Sequence, residues 1–360
     1  MKISIGSKIV DGPFGGGNEY IRNLSKFLSD KGHNVINHLN DIDIDIILLT
    51  SPLINSETST FSNYDVSYYQ QFINKNSISF HRINECDERK GTKNVNLQII
   101  NSNKYIDSTF FVSEWLKDLF LEKSDFSNYH VIKGGPTSNI FNTDNKNFWN
   151  KNQKVKIVTH HWSDNYLKGF EEYLALDLLL SNEEMRNKIE FTYIGNIPKN
   201  IKFRNCNVIK PLVGIELSEE LKKHHIYITG SKNEPSGNHH MEGAMCGLPI
   251  LYVESGALPE YCKDFGVPFT SSNLLLSINE IIKNYDTYKQ NLETYPYTFE
   301  ASAKNILEIF NFYLKDKNNI VKNRKSQNKL FLKMKINLFY LRKFLKNIYY
   351  SIKIQLGKLK

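Results

Sequence analysis

Glu234 and Glu242 stand eight positions apart in the run Gly230-Ser231-Lys232-Asn233-Glu234-Pro235-Ser236-Gly237-Asn238-His239-His240-Met241-Glu242-Gly243. A carboxylate accepts two hydrogen bonds at once, which matches a ribose diol or neighbouring sugar hydroxyls. Pro235 and Gly237 mark 231–238 as an exposed loop, and a short helix begins near His239 and stops at Gly247. Glu234 then lies in the loop and Glu242 in the opening turns of the helix. Two acids beside a helix end that attracts phosphate are electrostatically awkward unless the ligand also carries hydroxyls. With 22 glutamates in the chain, such a pair arises by chance, so its weight comes from context. That context is a strand, a Gly-containing loop, a helix, Gly247-Leu248-Pro249, an apolar strand, and Glu254-Ser255-Gly256-Ala257-Leu258-Pro259-Glu260.

Three further groups have suitable chemistry. Gly15-Gly16-Gly17 follows a strand and precedes a helix, so its backbone can approach a ligand closely and the helix end can meet phosphate; a tight turn is the other reading. Its spacing fits neither the dinucleotide nor the P-loop fingerprint, which disfavours an NAD oxidoreductase. His81, Arg82 and Asp87 lie in a charged segment, 81–91, at the carboxyl end of a strand, either lining a cleft or solvated. His160-His161 and His239-His240 are adjacent pairs whose side chains diverge, poor joint metal ligands, and His239 and His240 suit a polar contact at a helix N-terminus. No metal is expected.

The elements that carry these groups alternate twice along the chain. Residues 3–5 read as a strand, followed by the glycine loop and a helix with Tyr20, Ile21, Leu24, Phe27 and Leu28 on one face, stopped at Lys31-Gly32. Strands are predicted at 45–50, 77–83, 108–112 and 130–133, and again at 155–159, 191–194, 208–209, 226–229 and 249–253. Strands alternating with helices imply parallel sheets covered on both faces. The polar stretch 142–147 reads as a linker. The expected architecture is α/β: two Rossmann-like, doubly wound domains, 1–148 and 149–315, facing a cleft, with a basic tail over 316–360.

The C-terminal arrangement resembles the E-x7-E signature of glycosyltransferase family 4, retaining enzymes with the GT-B fold. The likeness extends over most of 1–310, including Phe111-Val112-Ser113-Glu114-Trp115-Leu116, Val131-Ile132-Lys133-Gly134-Gly135 and Lys168-Gly169. It implies that Glu242 holds the nucleotide ribose and that Glu234 faces the donor sugar's hydroxyls. Gly237, Asn238 and His239 would offer backbone amides to sugar and phosphates, and Lys168 would neutralise the diphosphate. It also implies metal-independent departure of the leaving group, with acceptor-side or catalytic groups in the segment holding His81, Arg82 and Asp87. The family usually has an arginine five residues before the lysine, and Ser163 stands there. His160 and His161, or Arg82 from across the cleft, are the candidates to replace it, although neither serine nor neutral imidazole reproduces a bidentate clamp.

The 360 residues carry a net charge of +8, but unevenly. Removing the twelve Lys and Arg of 321–360 from the total of 46 leaves 34 against 38 acidic residues, a net of −4 for 1–320. A mildly acidic body disfavours nucleic acid as a partner. Leu330, Met334, Leu338, Leu341, Leu345, Ile348, Ile352, Leu356 and Leu359 form a helical stripe among Lys333, Arg342, Lys343, Lys346 and Lys353. With no acidic residue in 321–360, this reads as an anchor on an anionic membrane; packing across the two domains is the alternative. Four cysteines without paired spacing, and no signal-peptide or membrane-spanning stretch, fit a cytoplasmic protein peripheral to the inner face of the membrane. The leading expectation is a transferase moving sugar from a nucleotide diphosphate to a glycan or lipid-linked acceptor in surface polysaccharide or lipopolysaccharide synthesis. A sugar-nucleotide epimerase of the same fold and a non-catalytic membrane scaffold are the alternatives.

Overall fold

The computed structural model describes residues 1–10, 16–54 and 56–358. Strands β1 (Lys2–Ile5), β2 (Asn34–Ile36), β3 (Ile46–Leu49), β4 (Ile78–Ile83), β5 (Ser108–Phe111) and β6 (Tyr129–Val131) form one sheet. Its order is β2-β1-β3-β4-β5-β6 and every pairing is parallel. Strands β7 (Val155–His161), β8 (Ile189–Gly195), β9 (Asn207–Ile209), β10 (Ile226–Thr229), β11 (Ile250–Tyr252) and β12 (Gly266–Pro268) form the second. That sheet is ordered β12-β11-β10-β7-β8-β9, again parallel throughout. Such sheets are covered on both faces, and the inner strand β3 is an uninterrupted apolar run, with Ile46, Ile47, Leu48 and Leu49 all buried. The edge strands β2 and β12 lie outside the predicted runs. Each has three residues, and β12 contains the Gly and Pro that normally signal a turn. A Cβ at Gly266 would collide with the backbone of Ile250, so the close strand approach requires this glycine.

The helix Gly16–Asp30 buries Tyr20, Ile21, Leu24 and Leu28 against the first sheet, as its periodicity predicts, and ends at Gly32 with φ +80°. The domain limits need correction at both ends: Phe141, expected with the first domain, packs in the core of the second. Helix Phe299–Lys315, expected with the second domain, returns to the first: Phe299, Ala303, Ile306, Phe310 and Tyr313 share a core with Ile3, Leu24, Phe80 and Phe110. Phe80 stacks on Phe110, centroids 4.8 Å apart, and Phe310 lies 4.9 Å from Phe80. The chain therefore crosses between domains twice, and the crossings touch where Phe299 N donates to Pro136 O at 2.9 Å.

Residues 142–147 are not a loose linker. Lys146 is buried, and its ammonium donates to the carbonyl of His224 at 2.8 Å, just beyond the helix Gly214–Lys222, where a cation complements the helix dipole. The tail is strapped to the first domain as well. Arg324 forks onto Asp107, with Nε at 2.9 Å from Oδ1 and Nη2 at 2.8 Å from Oδ2, before the long helix Lys329–Lys358 begins.

Candidate active site

The carboxyl ends of the strands in both sheets open onto one interdomain cleft of about 930 Å³. Its second-domain wall begins at β10, whose loop carries Glu234 and leads into the helix Asn238–Met245. Gly237 precedes the helix at φ +73°, and no side chain caps it among the described residues. The first backbone N–H groups, at Asn238, His239 and His240, are therefore without intrahelical acceptors at the positive end of the helix, and Asn238 and His239 line the cleft.

Glu234 is buried, and three donors converge on its Oε2: Ser231 Oγ at 2.8 Å, Arg89 Nη2 at 2.9 Å and Lys168 Nζ at 3.1 Å. Burial pushes its pKa up, but Lys168, Arg89 and the Ser231 hydroxyl outweigh that and hold it down at about 2. Lys168 is lowered from its ordinary value, first by burial and then, against the pull of Glu234, by the nearby Arg89. A Cβ at Gly169, whose φ is +98°, would collide with the backbone of Gly230. This close passage of two chain segments is what brings Lys168 beside Glu234.

Glu242 faces the same cleft from inside the helix. Its Oε2 lies 2.7 Å from His160 Nε2, and Tyr227 OH lies 3.1 Å from His160 Nδ1. His160 is thereby engaged with Glu242 rather than offered to phosphate, and His161 turns inward to Tyr173 OH at 2.6 Å. His239 turns its ring to Thr229 Oγ1 at 2.9 Å and leaves its backbone amide to the cleft. His240 is fully buried, and neither ring nitrogen has a hydrogen-bond partner among the described residues. Among those residues no group of three or more His, Cys, Asp or Glu is arranged to hold a metal. All four cysteines are free thiols.

On the first-domain wall, Gly16 lies across the cleft from Asn238, whose Nδ2 would be 3.2 Å from a Cβ there, and Gly17 lines the cleft beside Asn84. Gly15 lies outside the described residues. Arg82 lines the cleft with its guanidinium 4.0 Å from the Tyr20 ring centroid. His81 and Asp87 do not belong to it. Alternation along β4 sends His81 to the opposite face from Arg82, where it is buried against Asn103 at 3.2 Å and lowered by burial to about 4. Asp87 accepts from the amides of Val95 at 2.9 Å and Asn96 at 3.0 Å, holding the start of the helix Val95–Asn103.

The residue missed on this wall is Arg89. Its Nη1 donates to Leu167 O at 3.1 Å and Lys232 O at 2.9 Å, while Nη2 meets Glu234, so one guanidinium joins the domains at the cleft floor. Glu85 also lines the cleft, its carboxyl raised above the usual range by burial despite Lys90 at 3.3 Å. Both sit in a run of five charges within 85–90, the pattern of a solvated loop, and no sequence signal separates them from their neighbours. Ser163 lines the cleft and accepts from Asn165 N at 3.1 Å, a turn contact.

No protein-family model and no curated protein matches the sequence. Solved structures do match the fold. Sucrose-phosphate synthase from Thermosynechococcus elongatus superposes with a TM-score of 0.64 at 12% identity, covering 88% of this chain and 99% of that one. A glycosyltransferase from Rickettsia africae gives 0.60 at 15% identity, over 89% and 98%. HepE of Anabaena, solved with UDP, gives 0.65 at 12% identity, over 87% and 100%. The chain has the GT-B fold of these glycosyltransferases: two Rossmann-like domains with parallel six-stranded sheets facing a cleft.

Proposed function

We propose that this chain is a retaining, metal-independent glycosyltransferase of the kind its glutamate pair resembles, cytoplasmic, moving a sugar from a nucleotide diphosphate to a glycan or lipid-linked acceptor in surface polysaccharide or lipopolysaccharide synthesis. One observation carries the reading: Glu234, Lys168, Glu242 and the open helix end at Asn238 converge on a single interdomain cleft. HepE structures hold UDP, one of them with glucose, which supports a nucleotide-sugar donor.

Breaking the anomeric C–O bond leaves the bonding pair on the nucleoside diphosphate and positive charge on the sugar ring. The Lys168 ammonium and the first amides of helix Asn238–Met245 stabilise the departing anion from fixed positions. The new C–O bond forms to an acceptor hydroxyl on the same face, and its proton passes to a diphosphate oxygen. Glu242, oriented by His160, accepts the ribose hydroxyls. Ser163 supplies no cation, and Arg82 and Arg89 are guanidiniums that line the same cleft.

Thermal-shift screening against UDP-, GDP- and ADP-sugars tests this. A ligand present at a hundred times its Kd stabilises the native state by about 2.7 kcal/mol, so one donor class should raise Tm by several degrees. Glu242→Gln should abolish most of that shift. Lys168→Ala should keep much of the shift and slow turnover on the order of 100-fold. No shift with any donor would remove the assignment.

A further inference from the structure

The long C-terminal helix, Lys329–Lys358, has two faces with different fates. One packs on the first domain: Leu332 and Phe339 are buried, and Tyr340 OH donates to Asp65 at 2.9 Å. About half a turn away around the helix, Leu330, Met334, Leu341, Leu345, Ile348 and Ile352 line up within roughly 60° of one another and are 41–76% exposed. Lys333 lies on one flank of this stripe, and Lys335 and Arg342 lie on the other. The apolar face spans six turns of the helix.

We propose that this face docks on an anionic lipid bilayer, lying in the interface rather than crossing it. The occupant follows from charge and shape. Residues 321–360 hold twelve Lys and Arg and no acid, so pairing this face with a second copy would bring two basic helices together without a counter-charge. Nucleic acid would meet leucines where phosphates need cations. A bilayer surface accepts both features at once, the apolar side chains below the headgroups and the flanking lysines and arginine among anionic phosphates. No described helix is long and apolar enough to span a membrane.

The docking also sets an orientation. Gln327 N meets Gln71 at 2.6 Å, Tyr340 meets Asp65, and Lys343 Nζ donates to Ser59 O at 3.1 Å. The helix thus runs along Asn63–Phe72 from its end to its start and reaches the segment after β3, where Ser59 bridges Ser7 beyond β1. That is the carboxyl edge of the first sheet, the edge that bounds the cleft, so lipid binding holds the cleft rim near the membrane plane.

The test needs no sugar donor and stands independently of the transferase reading. The full chain is sedimented with vesicles of phosphatidylcholine alone and with vesicles containing phosphatidylglycerol. Binding should be at least about tenfold tighter to the anionic vesicles and weaken with salt. Leu341→Ser/Leu345→Ser/Ile348→Ser, all on the outward face, should lose at least about tenfold in vesicle affinity with Tm unchanged. Equal binding by this variant, equal binding to neutral vesicles, a lipid-free dimer that the same variant dissociates, or stronger retention on duplex DNA than on anionic vesicles would each overturn the proposal.

Discussion

A carboxyl as enclosed as that of Glu234 ordinarily takes up a proton, because burial disfavours the charged form. Here two cations and a hydroxyl reverse the outcome, and the group is held at about 2. The stability this supplies is complete above the usual glutamate pKa and is lost as pH falls toward about 2. The buried histidines act with the opposite chemistry and the same pH direction. His240 is lowered to about 3 by burial, so the native state keeps it neutral while the unfolded chain protonates it. Its contribution is complete above about pH 6.5 and declines as pH falls below that. His240 packs edge-on against Tyr261, centroids 5.5 Å apart, and against the His239 ring at 5.0 Å. His240→Phe should therefore stabilise the fold by about 1 kcal/mol at pH 7, since it removes unpaired buried nitrogens, and by more at pH 5. Urea denaturation at the two pH values measures this; a destabilised variant at both would mean that the imidazole has an unseen partner.

The short turn Tyr166–Lys168 and the loop after β10 position the site by touching backbone to backbone. Gly169 makes that possible, at a positive φ that side chains rarely adopt. Gly169→Ala should cost at least about 2 kcal/mol, from strain and from the collision with Gly230, and should separate Lys168 from Glu234. The expected signature is a lower urea midpoint together with a loss of the donor-induced Tm shift. A variant of native stability and normal donor response would show that the loops tolerate the displacement. Arg89 sits at the end of another short element, the helix Asp87–Lys90, whose cap at Gly91 has φ +62°. That single turn delivers a cation across the domain boundary.

Several contacts join the domains besides the two chain crossings. Arg89 bonds Glu234 and two carbonyls; Glu260 accepts from the amides of Glu114 at 3.0 Å and Trp115 at 2.6 Å; Tyr261 OH donates to Val112 O at 2.7 Å. Glu260 thus caps a helix of the opposite domain, Glu114–Leu121, with Lys133 3.2 Å from the same carboxylate. A cap of this kind is worth about 1 kcal/mol, and together these contacts favour a closed cleft over an open one. Glu260→Ala/Tyr261→Phe should shift that balance, raising the radius of gyration in small-angle scattering while far-UV circular dichroism stays native. An unchanged radius would mean that the crossings alone hold the domains together.

Much of this arrangement is written locally. A strand in a covered parallel sheet is rich in apolar residues, so ten of the twelve strands are readable as short runs, and the loop-to-helix signals around Gly237 and Gly247 place Glu234 in the loop and Glu242 in the helix that follows it. Pairings made at long range leave no such mark. Alternation along β4 separates His81 from Arg82, but only packing settles which of them meets the cleft. An amphipathic helix such as Phe299–Lys315 fits either sheet equally well, and it joins the first because the chain returns beside Pro136. Arg89 lies 145 positions from Glu234 and looks like any solvated charge until two domains close around it. Local patterning encodes which segments must be buried; which distant charges meet depends on how the buried segments assemble.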